Sequence, residues 1–348
     1  MTVSIPNEKG AQSGRPLKSG IDFSDRTWRD VAKGLFMEIR ILPVLVWAFT
    51  AISLGTALAY AEHNVFYLKN FSFAMLIACL AQAYPTHAAN EIVDWLSGTD
   101  IKGLGGSKVV REGLLSIRDL KIILLASITL VIILSAVVIL TIDIRLIWFG
   151  IVGIAASLFY SLPPVKLAYK PFLGEWIGGF VGIFVAVTGS YYIQIHSLSL
   201  VVILAGVALG ICDIAIMEMF HTIDYKADKE AIPQKRTTIV YLGREKGQLY
   251  VIANICLAAV IFWALTFQYW QFLVWSIMAT GCIFFYRTYD PTDSWSIIRS
   301  TKKVTWSTIG AGLLFASTIN AWFSLLITPV VLGYVGHKKW GKLRKRTS

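Results

Sequence analysis

Apolar residues in this chain neither alternate nor keep to one helical stripe; they run in blocks. The blocks at 122–142, 146–162, 177–195 and 201–219 have the length, roughly 17–25 residues, at which a helix crosses the hydrocarbon of a bilayer. Extending the same reading between charged or turn-forming breaks predicts helices at 41–61, 71–95, 119–142, 145–162, 175–195, 199–221, 248–267, 270–287 and 304–333. The expected fold is therefore all-α, a polytopic transmembrane bundle of about nine helices. Its domain occupies 36–335, with a polar arm at 1–35 and a basic tail at 336–348.

Composition supports the same class. In 348 residues, 56% are hydrophobic and 15% charged, too little polar surface to coat a soluble globule of this size. The first 35 residues hold no short apolar core followed by small residues, so no cleaved signal peptide is expected. Cys79, Cys212, Cys256 and Cys282 lie far apart inside apolar blocks and suggest neither a disulfide framework nor a zinc site.

The net charge of +11 is distributed in a way that excludes a nucleic-acid stripe. Lys and Arg number seven up to Arg40, five in 96–121, two in 163–174, six in 222–247 and four in 287–303, against only Lys69 and Arg145 in the alternate loops. By the positive-inside rule the N-terminus and the basic loops are expected to face the cytoplasm. Nine crossings then put the C-terminus outside, yet the segment 337–348 carries six more Lys and Arg. A tenth crossing or a re-entrant turn near Asn320 and Pro329 would remove the conflict.

Two acidic stripes interrupt the apolar pattern on the basic side. His87, Asn90, Glu91 and Asp94 lie three or four residues apart at the end of the second helix, with Asp100 just beyond; Asp213, Met217, His221, Asp224 and Asp228 form a second stripe, beside Glu218, at the end of the sixth. Like charges on one face of an apolar helix cost several kcal/mol unless something pairs with them, about 2.5–3.5 kcal/mol each at mid-bilayer. Oxygen ligands with few His and no Cys favour a hard ion such as Mg²⁺, which commonly bridges one or two carboxylates to phosphate oxygens. Lys102, Lys108, Arg111, Lys166, Lys170, Lys235 and Arg236 in the adjoining loops complement a diphosphate. Solvated surface ion pairs are the plain alternative.

Asn90-Glu-Ile-Val-Asp94-x₃-Gly98-Thr-Asp100, with Gly103-Leu-Gly-Gly-Ser107 after it, resembles the first aspartate-rich motif of the UbiA superfamily of intramembrane prenyltransferases, in the spacing of its dihydroxynaphthoate-type branch. Asp224-Tyr-Lys-Ala-Asp228 with Lys235-Arg-Thr-Thr238 is similar to the second motif, and the segment from Tyr160 through Pro163-Pro164, Lys166 and Lys170 to Glu175 is similar to the loop after the fourth helix. The resemblance implies a UbiA-like bundle that uses Mg²⁺ to move a prenyl group from a prenyl diphosphate to a small aromatic or lipid-like acceptor, a quinone precursor above all, within membrane lipid.

The resemblance also implies roles. Asn90, Asp94, Asp224 and Asp228 would hold Mg²⁺, with Glu91 and Asp100 as secondary candidates, and Asp94, Asp100, Asp228 and Tyr160 would act at the reacting centre. Arg40, Lys108, Arg111, Lys166, Lys170, Lys235 and Arg236 would bind diphosphate oxygens. The stretch from Asp228 to Lys235 is about two residues longer than usual, which sets Arg236 in competition with Lys235. Tyr160 would offer a ring face to the allylic cation, and Asp100 or His87 would take the acceptor's proton. A terpene cyclase that ionises the same donor without an acceptor, and a cation-coupled transporter, are the alternative readings.

Overall fold

A computed structural model describes Phe23 and residues 26–340; most of the predicted arm and the tail beyond residue 340 lie outside the described residues. The first helix, α1 (Trp28–Glu38), is opened by a capping box in which Thr27 and Asp30 satisfy each other's backbone N–H groups. It lies along the end of the bundle, where Gly34 abuts Leu115 and Arg26 pairs with Asp119. The chain then reverses at Arg40, whose φ is 48°, and enters the bundle through the wide turns Val44–Phe49 that lead into α2 (Thr50–His63).

The second crossing is broken in the middle. α3 (Leu68–Ala81) gives way to a π-helical turn, Gln82–Thr86, and resumes as α4 (His87–Ser97), because Pro85 offers no N–H and its ring crowds the preceding turn. That widened turn re-aims α4, and Gly98 ends it in the left-handed conformation, with φ at 86°. Next come α5 (Ile117–Thr141), α6 (Ile147–Ser161), α7 (Val181–Ile195), α8 (Leu200–Ile223), α9 (Arg244–Leu265) and α10 (Leu273–Thr288).

Among the described residues, six segments are long and apolar enough to cross a membrane: Trp28–His63, Ile117–Thr141, Ile144–Ser161, Gly174–Ile195, Leu200–Ile223 and Arg244–Leu265. The others fall short for visible reasons: the helix through Pro85 carries Lys69, Asn70, Gln82 and His87, α10 has 16 residues, and the next helix carries Arg299, Lys302 and Lys303 in its first turns.

The last predicted segment, 304–333, is in fact two helices. α11 (Ser294–Ile319) starts ten residues earlier than hydropathy suggests, because the Asp293 carboxylate caps the N–H groups of Trp295 and Ser296. It stops at Asn320, and after a 3₁₀ turn α12 (Ile327–Trp340) runs back along it, with the rings of Trp306 and Tyr334 5.3 Å apart. Gly336 reaches Phe36 of α1. The chain therefore returns at residue 340 to the end that holds the basic loops.

α8 is the central post. Its apolar residues, Leu209 and Ile216 among them, are buried against α2, α7, α9 and α11, whereas Ile122, Leu125, Ile133 and Leu140 of α5 face outward. Lipid is as apolar as leucine, so such a core is held by close packing rather than by escape from water. Gly55 shows how close: a Cβ there would stand 2.0 Å from the carbonyl oxygen of Val187 on α7.

Candidate active site

Between these helices lies a cavity of about 960 Å³. Its inner wall is hydrocarbon, from Ile77, Val138, Ile139, Phe149, Ile154 and Ile183, and its mouth is polar. α4 brings Asn90 and Asp94 to the mouth on one side, and the end of α8 with the short helix Tyr225–Glu230 brings Asp224 and Asp228 on the other.

The two acidic stripes are bridged directly. Lys235 Nζ lies 2.6 Å from Asp94 Oδ2, which also accepts from Asn90 Nδ2 at 3.0 Å; Asp94 Oδ1 accepts from the Tyr169 hydroxyl at 3.0 Å. Lys235 and Asp94 are both buried. Burial works against the lysine's charge, but Asp94 and Asp228 outweigh it and hold Lys235 well above the ordinary lysine range.

Asp228 is 1% exposed, faces the cavity, and neither carboxylate oxygen has a hydrogen-bond partner among the described residues. Burial pushes its carboxyl up to about 8 in the absence of a cation. Asp100, also buried in the wall, is raised well above the carboxylate range by burial and by Glu91 and Asp94. Lys108, at φ 62°, is lowered to about 8 by burial and then by Arg111.

Asp224 is held differently. The backbone N–H groups of Leu104 and Gly105 donate to its Oδ1 at 2.7 and 2.9 Å. A Cβ at Gly105 would stand 2.1 Å from Asp224 Oδ2, so only glycine lets the loop close on this carboxylate. The 103–107 glycine stretch thus ties the first motif to the second across the mouth.

Of the residues expected at the site, Arg40, Asn90, Asp94, Asp100, Lys108, Arg111, Tyr160, Asp224, Asp228 and Lys235 line the cavity. Four do not. Glu91 is turned behind the wall, where its Oε2 accepts from Arg40 Nη2 at 2.6 Å and from the Ser107 N–H at 3.1 Å; it anchors a cation rather than facing a metal. Arg236 points outward and lies over the Tyr241 ring at 5.0 Å. The Thr237 N–H bonds back to Lys235 O at 2.9 Å, a γ-turn centred on Arg236, so the two neighbouring side chains part and Lys235 is buried while Arg236 is exposed. Lys166 stands half-buried over Tyr169 at 5.3 Å, and Lys170 is exposed.

Sequence reasoning overlooked Tyr169 and the grip of the glycine loop on Asp224. Nothing in the local pattern marks Tyr169, since its partner Asp94 is 75 residues away. His87, expected as a base, faces the cavity with one ring nitrogen 3.2 Å from Gln82 Nε2.

The donor set at the mouth, Asn90, Asp94, Asp224 and Asp228, is carboxylate and amide oxygen. That fits Mg²⁺, which keeps part of its coordination for phosphate oxygens and water. Orphaned Asp228 lines the same cavity as the Asp94–Lys235 pair, and a cation bound beside it would give its carboxylate the partner it lacks.

A family model described as the UbiA prenyltransferase family matches residues 46–298. The chain is 31% identical over 215 residues to the 1,4-dihydroxy-2-naphthoate octaprenyltransferase of Bacillus subtilis (strain 168); the match covers 60% of this chain and 66% of that relative, just under two thirds of its length. It is 24% identical over 275 residues to the protein of the same name from Haemophilus influenzae, covering 74% and 87% of the two chains. Among solved structures, a UbiA homolog from Archaeoglobus fulgidus bound to GPP and Mg²⁺ superposes with a TM-score of 0.58 at 15% identity, over 81% of this chain and 99% of that one. The apo UbiA homolog from Aeropyrum pernix K1 gives a TM-score of 0.54 at 16% identity, over 78% and 96%. With both aspartate-rich motifs facing one cavity in a bundle of this architecture, and with the family match spanning most of the chain, the protein belongs to the UbiA prenyltransferase family.

Proposed function

We propose that this protein is a Mg²⁺-dependent intramembrane prenyltransferase that moves a prenyl group from a prenyl diphosphate to an aromatic quinone precursor, a dihydroxynaphthoate-like ring first. The observation that carries the reading is the buried, unpartnered Asp228 carboxylate opposite the Asp94–Lys235 pair, at the mouth of a cavity with hydrocarbon walls. Such a mouth suits a diphosphate, and such walls suit an isoprenoid chain. The relatives' names support the naphthoate acceptor, and the A. fulgidus homolog's bound GPP and Mg²⁺ support the donor and the metal.

Asn90, Asp94, Asp224 and Asp228 would hold the metal, which when bound offsets charge on the diphosphate as the allylic C–O bond breaks. Arg40, Lys108, Arg111 and Lys235 orient the diphosphate oxygens and stabilise the leaving group. The apolar wall keeps water from the allylic cation, and the Tyr160 ring offers it a π face. The basic loops support a mouth on the cytoplasmic side by the positive-inside rule.

The test is mass spectrometry of products from purified protein given Mg²⁺, a set of prenyl diphosphates, and 1,4-dihydroxy-2-naphthoate among a panel of phenols. A prenylated naphthoquinol that disappears on chelation is expected. A cyclic hydrocarbon made from donor alone, or transfer that persists in EDTA, overturns the reading.

A further inference from the structure

One polar chain in the cavity wall takes no part in gripping the mouth. Glu218 and His221 stand one turn apart on α8, and Glu218 Oε1 lies 2.8 Å from His221 Nδ1. The other ring nitrogen, Nε2, lies 3.2 Å from the Tyr160 hydroxyl on α6. His221 and Tyr160 line the cavity; Glu218 is fully buried behind them, with Oε2 unpartnered among the described residues. The order from the interior to the cavity is therefore carboxylate, imidazole, phenol.

That order has a chemical direction. A carboxylate on Nδ1 selects the tautomer with the proton there, so Nε2 accepts from the tyrosine hydroxyl; it also stabilises the imidazolium formed when a second proton arrives. The lysines and arginines of the mouth offer no comparable acceptor, and Asp94 and Asp224 are already engaged by Lys235 and the glycine loop.

Resting on the prenyl-transfer reading above, we propose that Glu218, His221 and Tyr160 form the relay that takes the hydroxyl proton of a phenolic acceptor. As the C–O bond of the donor breaks and its electron pair leaves with the diphosphate, the ring carbon ortho to the acceptor hydroxyl bonds to the prenyl carbon. The hydroxyl proton passes to the Tyr160 oxygen while the proton of Tyr160 moves to His221 Nε2, and the acceptor oxygen becomes a ketone. If the attacked carbon bears a carboxylate, that group leaves as CO₂, its bonding pair returns to the ring, and the proton on His221 goes back to the oxygen by the same path. If it bears hydrogen, that proton shifts to the oxygen as the ring re-aromatises, and His221 releases its own to the diphosphate. His221 and Tyr160 act directly, and Glu218 is a positioning residue.

The experiment compares the full-length protein in lipid nanodiscs with His221→Gln, Tyr160→Phe and Glu218→Gln, using a labelled prenyl diphosphate, Mg²⁺ and naphthols of graded acidity. Transfer to a weakly acidic naphthol is expected to fall roughly 10²-fold in His221→Gln and Tyr160→Phe, the size of a general-base contribution, and less in Glu218→Gln. The ratio of transfer to Mg²⁺-dependent diphosphate release without acceptor should fall in His221→Gln and Tyr160→Phe, since the relay acts only on the acceptor. The defect should shrink as the naphthol becomes more acidic and needs less help. Wild-type transfer rates in His221→Gln and Tyr160→Phe overturn the relay, as does a parallel fall of transfer and donor-only release, or a loss independent of acceptor acidity. No transfer by the unsubstituted protein overturns the prenyl-transfer reading and the relay with it, which separates the two failures.

Discussion

Both ends of the bundle hold carboxylates, and they treat them in opposite ways. Away from the site, Asp143 accepts from the backbone N–H of Arg145 at 2.9 Å, from its guanidinium at 2.8 Å and from the Tyr192 hydroxyl at 3.1 Å, with His196 Nδ1 at 3.0 Å. Glu62 accepts from Tyr191 at 2.6 Å and Ser199 at 2.9 Å. At the site end, both oxygens of Asp228 and one each of Asp100 and Glu91 have no partner among the described residues. A satisfied carboxylate closes a helix end. An orphaned one is kept ready for something that arrives later.

The sharpest way to break this contrast is to remove one carboxylate from each end. Asp228→Ala should lower Mg²⁺-dependent transfer by about 10²–10³-fold, whereas Asp143→Asn should leave it within about twofold. The second variant should instead lower the thermal midpoint, because the amide offers Arg145, Tyr192 and His196 one acceptor oxygen instead of two and no charge. Initial rates with labelled donor, together with a thermal scan of each variant, check both halves. Equal losses of activity would erase the distinction.

A smaller contrast sits within the site end itself. Lys235→Ala should cost about 10²-fold in transfer and Arg236→Ala less than about twofold, although the residues are adjacent, because only Lys235 reaches Asp94. Rate measurements showing the reverse order would mean that the loop turns over when substrate binds.

The smallest expected effect concerns the glycine loop. Gly105→Ala forces the loop off the Asp224 carboxylate and should raise the Mg²⁺ concentration for half-maximal rate by about 10-fold, as loss of an outer-shell partner does. Gly281→Ala on α10, where a Cβ meets nothing within 4 Å, is the matched control and should leave the Mg²⁺ titration unchanged.

Much of this was legible along the chain. Unbroken apolar blocks require helices in a bilayer, since each must satisfy its own backbone there. Carboxylates spaced by three and four residues share a helix face wherever that helix lies, so the stripes holding Asn90 and Asp94, and Asp224 and Asp228, were visible before the fold was. The last segment was not, because averaging hydropathy over neighbours hides a cap: Asp293 starts α11 inside a basic stretch, and Asn320 ends it inside an apolar one.

The sequence by itself determined the class of the protein, the helices with their charge asymmetry, and the two sets of acids. All of these depend on residues within a turn or two of one another. Only the tertiary structure decided that Lys235 rather than Arg236 faces Asp94, that Glu91 stands behind Arg40, that the glycine loop closes on Asp224, and that Glu218, His221 and Tyr160 line up toward the cavity. These choices join residues 51 to 141 positions apart, and which side of a turn faces inward is set by what packs against it from elsewhere in the chain.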